Sequence, residues 1–111
     1  MVIGARVLTI RDPDGDVPVP VRLCAPEYAD GHWICRYTID WPEQPRDSCG
    51  AGADALQALH LAMQKIGFDL YASAAHKAGI LMWEKPGDGY GFPIPKNGRD
   101  LLVGADKTFE G

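Results

Sequence analysis

The chain has 111 residues, of which 46% are hydrophobic and 23% charged; these values are typical of a folded domain and unlike those of a disordered chain. Its net charge of −4 opposes attraction to nucleic acid or to an anionic membrane surface. We therefore expect one domain over residues 1–111, with 104–111 as a loosely ordered tail, and neither a nucleic-acid nor a membrane partner.

The cellular compartment is predicted from apolar runs and cysteines. No apolar run reaches the roughly 18 residues of a membrane span, and no secretory leader pattern follows Met1. Cys24, Cys35 and Cys49 are odd in number and contain no CxxC pair, so they make a poor disulfide framework. A cytoplasmic location is expected.

The N-terminal segment predicts two antiparallel strands joined by a tight turn. Val2 to Ile10 is rich in apolar and β-branched residues, and residues 12–15 form a turn in which Gly15 supplies a positive φ. The core-facing positions of the second strand are Val17, Val19, Val21 and Leu23. Pro18 and Pro20 remove two amide donors from one side of this strand, which predicts a protected sheet edge.

The clearest strand pattern follows a polar loop over residues 26–31. One face of this third strand consists of Trp33, Cys35, Tyr37, Ile39 and Trp41. Such a large aromatic face would promote association if it were exposed, so we expect another element to cover it. Pro42 and Pro45 end the strand and begin a loop that runs to about Gly50.

An amphipathic helix over residues 51–70 is predicted to supply that cover. Its apolar positions, spaced by three and four residues, are Leu56, Leu59, Met63, Ile66 and Leu70, widened by Ala55, Ala58 and Ala62. Asp47 or Ser48 is the expected N-terminal cap, and His60 falls on the polar face. Residues 68–78 continue the helix or form a second short one that ends at Gly79.

The remaining residues predict a short strand at 80–83, a surface loop at 84–95 and a last strand at 101–103. The expected fold class is α+β. It has an antiparallel sheet of three to five strands, in the order β-β-β-α-β, with one long helix packed on one face.

The candidate binding residues lie in the C-terminal loop and are Tyr90, Phe92, Pro93 and Pro95. An extended segment of aromatic and proline residues can present itself to a protein partner. The same side chains can instead anchor the loop to the domain. We favour the anchor and keep the binding role as a hypothesis.

A catalytic site would have to combine Cys49, near the predicted helix start, with His32 or His76 as its base. The sequence has no local signature for such a pair. A zinc site is disfavoured because His32 and Cys35 leave opposite faces of one strand. We assign no catalytic residue, no metal and no cofactor.

Two further motifs have structural explanations. The glycine-rich residues 49–53 precede the predicted helix but lack the Lys-Ser/Thr of a phosphate loop. Trp33, Tyr37 and Trp41 resemble a platform for stacking nucleic-acid bases, but the residues near them are acidic rather than basic.

Several segments together resemble a family of small uncharacterised bacterial domains of unknown function. They are Tyr37-Thr38-Ile39-Asp40, residues 55–59 through Lys65-Ile66-Gly67, Gly79-Ile80-Leu81-Met82-Trp83, and Gly91-Phe92-Pro93. The resemblance covers residues 2–95. It implies a fold and carries over no catalytic residue, because these are packing and turn residues.

The favoured function is a noncatalytic binding or protein-interaction module with a protein partner, acting as a monomer or a homodimer. The alternative is a small hydrolase or small-molecule-binding protein that uses a Cys/His pair, drawn from Cys49, His32 and His76.

Overall fold

The architecture is an antiparallel sheet with one long helix across it. The computed structural model describes residues 1–85, 87 and 89–93. Its elements are β1 (Val2–Ile10), β2 (Val17–Cys24), β3 (Glu27–Ala29), β4 (His32–Ile39), β5 (Arg46–Gly52), α1 (Ala55–Tyr71), α2 (Ala74–Lys77) and β6 (Leu81–Met82). The sheet has six strands in the order β3-β4-β2-β1-β6, with β5 also paired to β4.

The predicted α+β class is therefore correct, whereas the expected range of three to five strands was too low. The predicted strand at 101–103, the tail at 104–111 and Pro95 lie outside the described residues.

The hairpin of β1 and β2 has the predicted bounds and turn. Gly15 adopts φ +126°, and its amide donates to the carbonyl oxygen of Asp12 at 3.0 Å. The Asp12 side chain accepts from the Asp14 amide at 2.8 Å, which fixes the turn. Val19 and Val21 are buried on the predicted core face.

The prolines of β2 affect pairing as predicted, but β2 is not an edge strand. It pairs with β1 along its whole length and lies between β1 and β4. Its pairing with β4 covers only Val21 to Leu23, beyond Pro18 and Pro20. The first half of β2 consequently has a partner strand on one side only.

Two strands, β3 and β5, lie where the sequence predicts loops. β3 pairs with the start of β4, and β5 pairs with β4 from Trp33 to Ile39. β5 was missed because its sequence is polar and glycine-rich, without apolar alternation. Its glycines serve close packing: a Cβ at Gly50 would lie 2.8 Å from the Ala58 carbonyl oxygen, and nearer still to the Ala62 amide nitrogen.

Helix α1 covers the aromatic face of β4, as predicted, but it begins later and packs through smaller residues. Asp54 is its N-terminal cap, not Asp47 or Ser48, and accepts from the Gln57 amide at 2.8 Å. Its buried residues are Ala58, Ala62, Ile66, Gly67, Leu70 and Tyr71. Leu56, predicted in the buried stripe, is 76% exposed, because close contact with β5 selects the alanine side of the helix.

The second short helix and the following strand are confirmed. Ser73 caps α2 by accepting from the His76 amide at 3.1 Å, and Gly79 ends the segment with φ +73°. β6 then pairs with β1 at Thr9 and Ile10. Among the described helices, none has the length and apolar character needed to cross a membrane.

Candidate binding site

An apolar groove lies where β2 lacks a second partner. β4 ends at Ile39 and the chain turns away through Trp41 and Pro42, so the ends of β1 and β2 are not covered from that side. α2 closes the other side. The groove is therefore a consequence of the two prolines that prevent β4 from pairing further along β2.

Small and large apolar side chains line this groove, and its volume is about 610 Å³. The apolar lining consists of Ile10, Val17, Trp41, Ala75, Ala78 and Ile80. Its volume falls within the range of about 300 to 1,000 Å³ typical of ligand sites. Several lining residues are exposed, including Pro42, Gln44 and Ala78, so the groove is open along the surface rather than enclosed.

The rim of the groove is acidic. Of the described residues that line it, the charged ones are Asp12 and Glu43. Asp14 and Asp16 follow in the same exposed turn. The Asp40 carboxylate is nearby in sequence but pairs with Arg22 at 3.3 Å. This rim favours an occupant that carries positive charge beside an apolar segment.

Three of the four residues predicted to bind a partner are packed into the domain. Tyr90 is 3% exposed, Phe92 is 8% exposed and Pro93 is buried. Pro95 lies outside the described residues. Residues 90–93, called the C-terminal clip below, thus anchor the loop as the favoured interpretation expects. The binding role of Tyr90, Phe92, Pro93 and Pro95 stays a prediction.

Arg6 on β1 holds the clip in place. Its guanidinium donates to the Tyr90 carbonyl oxygen at 3.0 Å. The same group lies 3.9 Å from the ring centre of Trp83 and 4.9 Å from that of Phe92, a cation–π arrangement. This role was not predictable from the sequence, because an arginine in a strand can pair with many different groups.

Tyr90 also meets His76 in a small aromatic cluster. The His76 Nδ1 atom and the Tyr90 hydroxyl oxygen are 2.5 Å apart, and the Tyr71 ring centre is 4.7 Å from that of His76. A cavity of about 170 Å³ adjoins this pair and is also lined by Lys85. Neutral imidazole can accept the Tyr90 proton at Nδ1, whereas imidazolium can only donate there.

This contact predicts a pH dependence of stability. Burial lowers the pKa of His76 below its ordinary value of 6.5, so the unfolded chain binds the proton more tightly than the folded one. The free energy of unfolding should therefore be fully present above pH 6.5 and decrease as the pH falls below that value. Urea unfolding midpoints measured across this window would show the decrease.

A His76→Gln variant provides the comparison, because glutamine retains a polar side chain but does not titrate. Its unfolding midpoint should change less across the same window than that of the original chain. Equal changes in the two proteins would show that His76 is not the source of the pH dependence.

The cysteine and histidine candidates are spread over the fold. Cys49 lies opposite Arg36 on the sheet face that points away from α1, whereas His76 packs on the helix side against Tyr71. His32 shares the face of Cys49 but is four positions from Arg36 along β4, about 13 Å at strand spacing. Neither pairing is within hydrogen-bond reach.

The third thiol is also unsuited to nucleophilic chemistry. Cys35 is fully buried and donates to the Cys24 carbonyl oxygen at 3.2 Å. Burial, and secondarily the nearby Cys24 and Cys49, raises the pKa of the Cys35 thiol. Within the described ranges no group of three or more His, Cys, Asp or Glu side chains is arranged to hold a metal ion.

A polar network joins α1 to the sheet below it. The buried Tyr37 hydroxyl donates to an Asp69 carboxylate oxygen that also accepts from Arg46 Nε at 2.8 Å. Burial, followed by the hydrogen bond to Asp69, raises the pKa of Tyr37 to about 12. The hydroxyl therefore stays protonated at neutral pH, and the network holds α1 over β4 and β5.

These features define an α+β domain whose open site is an apolar surface groove with an acidic rim. The model of a family described as a domain of unknown function, DUF6968, matches residues 4–94, and the chain belongs to this family. No curated protein and no solved structure matched the chain. The family resemblance seen in the sequence is thus confirmed, and its bacterial character stays a prediction.

Proposed function

We propose that the protein is a noncatalytic interaction module that binds an apolar, basic-flanked peptide segment of a partner protein. The observation that supports this function is the open groove beside α2, apolar along its length and bordered by Asp12 and Glu43. A cytoplasmic location belongs to the same proposal.

The groove favours docking through side chains over the addition of a strand. A peptide strand placed along the first half of β2 would need backbone donors there, and Pro18 and Pro20 have none. The Pro20 carbonyl oxygen already accepts from the Asp40 amide at 2.9 Å. Apolar side chains of the partner segment would instead enter between Val17, Trp41 and Ala75.

A pair of synthetic peptides tests the charge preference. One has a leucine-rich centre flanked by lysines, and the other has glutamates in place of the lysines. We expect the lysine peptide to bind more tightly, and the Asp12→Asn/Glu43→Gln double variant to bind it roughly fivefold more weakly at low salt. Fluorescence anisotropy of the labelled peptide measures both effects. Asparagine at 12 keeps the oxygen that accepts from the Asp14 amide.

Two matched controls separate the groove from general charge and surface effects. A Glu27→Gln/Asp47→Asn variant removes the same net charge away from the groove and should bind the lysine peptide as the original chain does. Ala78→Trp, which fills the groove, should abolish binding, whereas Leu56→Trp on the exposed side of α1 should not. Equal binding of both peptides, or full binding by Ala78→Trp, would contradict the proposal.

A further inference from the structure

Helix α2 and the residues next to it separate the groove from the cavity beside the C-terminal clip. Ser73, Ala75 and Ala78 line the groove. His76 and Gly79, the residues that follow Ala75 and Ala78, line the cavity of about 170 Å³ on the other side. One short helical segment therefore forms a wall of both spaces, and a displacement of this segment changes the shape of both.

The side-chain packing of α2 depends mainly on His76. The other side chains of this helix are two alanine methyl groups and the exposed Lys77, and none of its four residues is buried. The His76 ring packs against the Tyr71 ring of α1 and the Tyr90 ring of the clip, with ring centres 4.7 Å and 5.6 Å away. Its Nδ1 atom also lies 2.5 Å from the Tyr90 hydroxyl oxygen. His76 thus supplies the side-chain contacts that hold α2 in position.

A proton on His76 would weaken these contacts. A neutral imidazole can accept the Tyr90 hydroxyl proton at Nδ1, whereas an imidazolium has no acceptor there. The described titratable groups that face His76 are the phenols of Tyr71 and Tyr90 and, across the cavity, the positively charged Lys85. None of these groups carries a negative charge near neutral pH that would stabilise the imidazolium. Burial lowers the pKa of His76 in the same direction.

We infer that His76 is a positioning residue for the groove. In its neutral form it holds α2 where Ala75 and Ala78 form one wall, and its protonation releases that wall and weakens the binding of a peptide. This inference rests on the function proposed above, because the groove has to be the binding site. Coupling between two sites is reciprocal, so a peptide in the groove makes His76 harder to protonate.

Fluorescence anisotropy at two pH values tests the positioning role. The probes are the lysine-flanked leucine peptide and a second peptide with glutamines in place of the lysines, which has no flanking charge for an imidazolium to repel. If only the neutral form is competent, both peptides should bind roughly threefold more weakly at about pH 5 than at about pH 7.5. Far-UV circular dichroism checks that the protein is folded at both values. A loss confined to the lysine peptide would assign the effect to charge repulsion and overturn the inference.

Two histidine variants assign the pH dependence to one side chain. His76→Gln keeps a polar side chain that does not titrate, so its affinity for both peptides should be nearly constant across this pH range. His60→Gln removes an exposed histidine of α1 that does not line the groove, and it should retain the pH dependence of the original chain. Equal pH dependence in His76→Gln and the original chain would overturn the inference.

An NMR titration of the His76 imidazole in the original chain tests the reciprocal effect without a substitution. The midpoint of the titration should move to a lower pH when the glutamine-flanked peptide saturates the protein. An unchanged midpoint at saturation would overturn the inference and leave the proposed function intact. If neither peptide bound at about pH 7.5, the proposed function would fail, and this inference would fail with it.

Discussion

Replacing Gly50 with alanine should lower the free energy of unfolding by about 3 kcal/mol, because a methyl group has no room between β5 and α1. Its Cβ would lie 2.8 Å from both the Ala58 carbonyl oxygen and the Ala62 Cα atom. Both are backbone atoms, which cannot rotate away as a side chain would. The helix must shift, and the loss is measured from urea unfolding curves.

Gly4→Ala is the matched control for this substitution. Gly4 lies in a strand of the same sheet, and a Cβ there would have nothing within 4 Å. We expect a change within about 0.5 kcal/mol, as at other exposed positions. If the two variants were equally stable, the close packing of α1 against β5 would be wrong.

Removing the Tyr90 side chain should have an effect of similar size. Tyr90 is 3% exposed, and its ring centre lies 5.0 Å from that of Tyr71. Truncating a buried aromatic ring leaves a cavity, so Tyr90→Ala should reduce the free energy of unfolding by about 3 to 4 kcal/mol. The substitution also removes the hydrogen-bond partner of His76, which adds to the loss.

Tyr28→Ala makes the same chemical change at an exposed ring. Tyr28 is 64% exposed and meets the Trp33 ring edge-on at 5.7 Å. Its loss should cost about 1 kcal/mol or less. Equal losses in the two variants, measured by thermal or urea unfolding, would show that the clip does not stabilise the domain.

Strands with strong side-chain patterns were predictable from the sequence. The bounds of β1 follow from a run of apolar and β-branched residues that ends at a turn with Asp12 and Gly15. The aromatic alternation of β4 likewise indicated both the strand and the need for a cover. In β4 one face is buried, so burial leaves a period of two in the sequence.

The glycine-rich strand β5 could not be predicted in the same way. The pattern around Gly50 and Gly52 is typical of a loop before a helix. Glycine is nevertheless required at both positions, because a Cβ there would lie within 3 Å of backbone atoms of α1. The same contact moves the buried side of α1 from Leu56 toward Ala58 and Ala62. The need for glycine in β5 comes from its contact with α1, and the spacing of residues within β5 holds no information about that contact.

Of the candidate site, only the unpaired side of β2 could be predicted from the sequence. Pro18 and Pro20 indicated a side of β2 without pairing, and the groove lies at that gap. Its other walls, Trp41 and the α2 residue Ala75, come from distant parts of the chain. Tyr90, Phe92, Pro93 and Pro95 were instead selected from the sequence for their composition, and the fold buries the first three of these side chains.

An NMR titration of the isotope-labelled protein with the lysine-flanked leucine peptide tests the proposed function most directly. We expect backbone amide shifts concentrated at Ile10, Val17, Trp41, Ala75 and Ala78, with β1 residues 3–7 unaffected. Absence of shifts at saturating peptide, or shifts centred on the opposite sheet face around Arg36, would contradict it.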